Sequence, residues 1–101
     1  MSHEDPLDII ARLWEAHRDV VVARIASIRA GIDAIRAGAA PADDAVQDAY
    51  RAAHNLAGAL GSYGRAEGSV FARDMMTSIA EPGADPDALT TLLTRIEEAC
   101  A

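Results

Sequence analysis

The chain contains no lysine, a single cysteine, four aromatic residues and no long apolar run. Each scarcity excludes something. Cys100 has no partner for an intramolecular disulfide, so the fold does not require an oxidising compartment. No segment approaches the ~18 consecutive apolar residues of a membrane span. The opening Met1-Ser2-His3-Glu4-Asp5-Pro6 is acidic and lacks the apolar centre of a secretory signal. Nine basic residues, all arginine, face sixteen acidic ones, for a formal charge of −7. That balance disfavours a nucleic-acid backbone as partner. These absences lead us to expect a cytoplasmic protein with neither a nucleic-acid nor a membrane partner. Strand signals are also sparse. The β-prone Val20-Val21-Val22 lies inside a helical stripe.

What the chain does have is alanine and helical periodicity. Half of its 101 residues are hydrophobic, many of them alanine, the best helix former. The length suits one domain, residues 1–101, burying roughly 60–65% of its unfolded surface. Asp5-Pro6 reads as a helix cap followed by proline in the first turn. Ile10, Trp14, Val21, Ile25, Ile28, Ile32 and Ile35 then recur at helical steps of three, four and seven. His17 falls on this stripe and is expected to be at least half-buried. The helix should stop near Gly38, with Gly31 as a weak point. At 1.5 Å per residue it would be roughly 46 Å long. Such length favours a bend, or a short extra N-terminal helix ahead of a longer one.

A second helix is expected to begin between Pro41 and Asp44, with Val46, Ala49, Tyr50, Ala53, Leu56 and Leu60 on its buried face. Gly61, Tyr63 and Gly64 mark its end through a left-handed cap. A third runs from Arg65 to about Ile79, with Val70, Phe71, Met75 and Ile79 as its stripe. Gly68 inside it allows another helix to approach closely. Asp85-Pro86-Asp87 opens the last, apolar at Leu89, Leu92, Leu93 and Ile96. The expected fold is all-α, an antiparallel up-and-down four-helix bundle.

His54 is the residue that suggests chemistry. Positions four and seven further along a helix share its face. Here both are glycine, Gly58 and Gly61. Each costs roughly 1 kcal/mol against alanine in a helix interior. Together they leave bare backbone beside the ring. A lone histidine on a helix is more often surface decoration, and paired glycines more often serve close helix packing. Yet His54 lies about 100° from the centre of the buried face, by the 100° helical repeat. There a ring is held by its neighbours and still presents one nitrogen to water. His17-Arg18-Asp19 mimics a kinase catalytic triplet without the accompanying glycine-rich loop or lysine. His3-Glu4-Asp5 is a poor metal site in a terminal segment.

The stretch from Tyr50 to Met76 resembles the histidine-containing phosphotransfer domains of two-component phosphorelays. The shared pattern is an alanine-rich helix bearing His54-Asn55-Leu56-Ala57-Gly58, then Gly64, then another amphipathic helix. The layout of the whole chain is also similar to that family. The resemblance implies that His54 accepts a phosphoryl group from an aspartyl-phosphate and passes it on. It implies as partners a response-regulator receiver domain and a hybrid sensor histidine kinase. The chain would need no cofactor of its own, Mg²⁺ being supplied by the receiver, and would act as a monomer without an ATP site. Gln47, Arg51, Asn55, Gly58 and Gly61 are the implied docking residues.

Two positions depart from the family. Ala57 stands where lysine is usual, and Ala59 where a small hydroxyl residue is common. Arg51, one turn before His54, is the first candidate to neutralise the phosphoryl group. Arg65 and Arg73, from the next helix, are weaker ones. One charge-assisted hydrogen bond is worth roughly 1.5–3 kcal/mol, so its loss implies slowed transfer. The alternative is a non-catalytic module that docks or sequesters a regulator or kinase.

Overall fold

Proline in a first turn needs a cap before it, and the chain supplies one twice. In a computed structural model, which describes residues 5–101, Asp5 accepts from the Leu7 amide and opens α1 (Pro6–Arg36). Asp85 accepts from the Asp87 amide and opens α4 (Pro86–Cys100). Asp43 does the same for Ala45 at the start of α2 (Asp44–Ser62). Only α3 (Ala66–Ile79) begins without a side-chain cap. The described residues are otherwise turns and loops, with no strand.

Helices α1 and α2 end in the same way. Gly38 (φ 100°) and Gly64 (φ 74°) take the left-handed conformation that glycine adopts without strain. Past them, the Ala39 amide donates to Ala34 and the Arg65 amide to Leu60, satisfying carbonyls the helices leave open.

α1 is one unbroken helix of 31 residues. The separate short N-terminal helix expected from its length is not formed. Gly31, expected to be a weak point, is buried against α2. A Cβ there would collide with that of Ala49 and lie 3.0 Å from the Ala45 carbonyl oxygen. The missing side chain therefore supports the packing.

Each helix packs on its neighbour in sequence, and α1 also packs on α4. Ile28, Ala49, Ala53, Leu56, Leu60, Met75, Ile79 and Ile96 are fully buried between them. Two exposed ion pairs tie α1 to α4, Arg29–Glu97 at 2.8 Å and Arg36–Asp87 at 2.9 Å. At the opposite end Trp14 meets Tyr63 edge-on, centroids 5.7 Å apart. Arg65 lies 3.9 Å over the indole and donates to the Ala99 and Ala101 carbonyls at 2.9 and 3.2 Å. His17 is half-buried as expected, its ring 5.4 Å from Tyr63 and 3.4 Å from the Arg24 guanidinium. The first two turns of α1 run on past this cluster, exposing Leu7, Ile9 and Leu13. No helix among the described residues is long and apolar enough to cross a membrane. His3 and Glu4 lie outside the described residues.

Candidate functional site

The candidate site is the outer face of α2 and the seam it shares with α3. Ala53, Leu56, Ala57 and Leu60 bury the inner face. His54 and Asn55 lie between them in sequence and are exposed. The His54 ring has no hydrogen-bond partner among the described residues. Both ring nitrogens therefore keep their capacity for an incoming group.

The two glycines differ. A Cβ at Gly58 would meet nothing within 4 Å, so the space beside His54 is open. A Cβ at Gly61 would lie 3.5 Å from the Ser69 hydroxyl of α3. Gly61 thus serves the helix seam as well as the open face. Across that seam, Ser69 Oγ donates to the Ala57 carbonyl at 2.7 Å. A Cβ at Gly68 would approach Leu60 Cδ1 to 2.9 Å. The close approach expected at Gly68 is present.

The other anticipated residues are distributed unevenly. Gln47 is exposed, but its side-chain amide donates to the Pro41 carbonyl at 2.9 Å, clamping the preceding loop. Arg51 is exposed and paired with Asp48, one turn back. Ala57 is 7% exposed, against the core and α3. Ala59 is half-buried. Arg65 is held by α4 and Trp14. Arg73 is exposed on α3, one turn beyond Ser69.

Two side chains read from sequence as core stand outside it. Tyr50 is 36% exposed and Val70 51%. The buried arc of α2 is centred nearer Leu56 and Leu60, and it takes in Ala57 instead of Tyr50. An arc drawn through Ala53, Leu56, Ala57 and Leu60 would have identified Tyr50 as rim. Val70 directly follows the buried Ser69, and a 100° step carries it off the seam.

Such a face can do two things chemically. It can present an imidazole nitrogen as nucleophile, and it can receive a flat or convex partner over Gly58. Comparison of the chain with protein-family models, curated proteins and solved structures found no match.

Proposed function

We propose that this protein is a histidine phosphotransfer domain and that His54 is its phosphoacceptor. The observation that carries the reading is an exposed, unpartnered imidazole with open space beside it at Gly58. The four helices form an antiparallel up-and-down bundle on this reading. The end-to-end pairings support that arrangement: Arg36 with Asp87 and Arg29 with Glu97, and Gly31 against Ala49 while Trp14 meets Tyr63.

In the reaction, a ring nitrogen of His54 attacks the phosphorus of a receiver's aspartyl-phosphate. The N–P bond forms as the acyl P–O bond breaks, and the electron pair leaves with the aspartate carboxylate. A receiver-bound Mg²⁺ would supply charge balance for the phosphoryl oxygens. The bundle supplies a fixed ring and a docking face formed by Asn55, Gly58, Gly61, Gln47 and Arg51. The partners are a receiver domain and a hybrid sensor kinase, meeting a monomer in the cytoplasm. Incubation with phosphorylated receivers should leave an acid-labile, base-stable phosphoryl group on His54. His54→Gln should abolish it, and an unlabelled wild-type protein across a panel of receivers would sink the proposal.

A second reading is a docking module without transfer. It is favoured by the state of the α2 face, where Ala57 is buried and Arg51 is tied to Asp48. If His54→Gln leaves receiver binding and signalling intact, this second reading holds.

A further inference from the structure

A phosphoryl group moving onto an imidazole carries about two negative charges spread over its outer oxygens. A cation within hydrogen-bond reach lowers the energy of that arrangement. The cations next to His54 in sequence, or nearest to the end of its helix, are committed elsewhere. Arg51 is held by Asp48, and Arg65 by two carbonyls of α4 and the Trp14 face.

Arg73 differs. It is exposed, and its guanidinium has no hydrogen-bond, ion-pair or ring partner among the described residues. Its position follows from the α2–α3 register. Ser69 meets Ala57 and Gly61, and Gly68 meets Leu60. Only residues 63–65 join α2 to α3, so the two helices fold back on each other, and one turn forward from Ser69 on α3 matches one turn back from Ala57 on α2. That brings Arg73 level with Ala53 and His54. Residues four apart share a helix face, so Arg73 shares the side of α3 on which Ser69 reaches α2. Ser69 is 4% exposed and Arg73 is exposed, which sets Arg73 on the outer lip of the seam. His54 occupies the opposite lip.

We infer that Arg73 reaches across the α2–α3 seam and donates hydrogen bonds to the phosphoryl oxygens as His54 takes up the group. This inference rests on the phosphotransfer reading and assigns the cation for that site. Arg73 transfers no proton. It stays charged while the N–P bond forms and the P–O bond to the leaving carboxylate breaks. A planar guanidinium can hold two of the three oxygens at once, in the geometry that also keeps the group in line. Val70, exposed one turn along the same lip, extends the contact surface for the receiver.

The test follows phosphoryl uptake from a phosphorylated receiver by wild type, Arg73→Gln, Arg73→Lys and His54→Gln, with receiver affinity measured in parallel. Arg73→Gln should slow uptake by about ten- to a hundredfold, with affinity changed far less. Arg73→Lys keeps the charge without the two-point fork and should recover part of the rate, which a merely structural role would not require. Wild-type uptake by Arg73→Gln alongside an unlabelled His54→Gln would overturn the Arg73 assignment and leave the His54 reading standing. Arg73→Lys no faster than Arg73→Gln would overturn it too, since a cation at this position would then give the phosphoryl group no benefit. An unlabelled wild-type protein would overturn both.

Discussion

At the scale of single residues, glycines carry the sharpest contrast. Gly31 and Gly58 are both inside helices, yet they should respond oppositely to the same substitution. A methyl group at Gly31 collides with Ala49, backed by the Ala45 carbonyl. Gly31→Ala should therefore cost about 1–3 kcal/mol of stability, the range for overpacked cores, read by urea denaturation. At Gly58 the methyl meets nothing, and the helix gains roughly 0.5–1 kcal/mol from the better helix former. Gly58→Ala should raise the denaturation midpoint and, on the phosphotransfer reading, weaken receiver docking, because it fills the space beside His54. Loss of stability in Gly58→Ala would show that the space is not open.

Cys100 makes a different residue-scale prediction. Burial at the end of α4 pushes its thiol pKa up, partly offset by Arg65 and Arg18. A thiol held neutral in the folded state stabilises the fold fully below its unfolded pKa. That contribution is lost as pH rises from the ordinary thiol value of about 8.5 through the higher folded value. The stability difference between wild type and Cys100→Ala should hence shrink over that alkaline window. A difference flat from pH 7 to about 10.5 would contradict it.

At the scale of elements, caps and stripes were legible in the sequence because their causes are local. Asp5-Pro6 and Asp85-Pro86 start helices through contacts within two residues, and Gly38 and Gly64 end them through their own backbone angles. What was not legible depended on where a neighbour lies. Sequence marked Gly31 only as a weak point, and it takes the approach of α2 to turn it into a contact. Periodicity put Tyr50 inside because Ala57 was not counted as packing surface, whereas α3 closes over Ala57 through the Ser69 hydrogen bond. The histidine face was legible, since it needs only one helix. The commitment of Arg65 to a helix more than thirty residues away was not. That bond yields a prediction for α4. Arg65→Ala uncovers Trp14 and frees two carbonyls, and should cost about 1–3 kcal/mol, with amide exchange accelerated at the end of α4 before the helix centre.

At the scale of the whole molecule, α1 is twice as long as α3 or α4, at 31 residues against 14 and 15. Isolated helical turns are marginal in water without packing. The turns of α1 before Trp14 should therefore exchange amide protons far faster than those from Val21 to Ile32, whose side chains are buried. Equal protection along α1 would mean that something covers Leu7 and Leu13. The same unequal lengths make the molecule a rod of 58 × 20 × 17 Å, with a radius of gyration of 14.8 Å. A globular domain of 100 residues has about 13 Å. A rod drags more solvent than a sphere of equal mass, so gel filtration will overstate the weight of the single chain. Light scattering, which is blind to shape at this size, is the measurement that can count its copies.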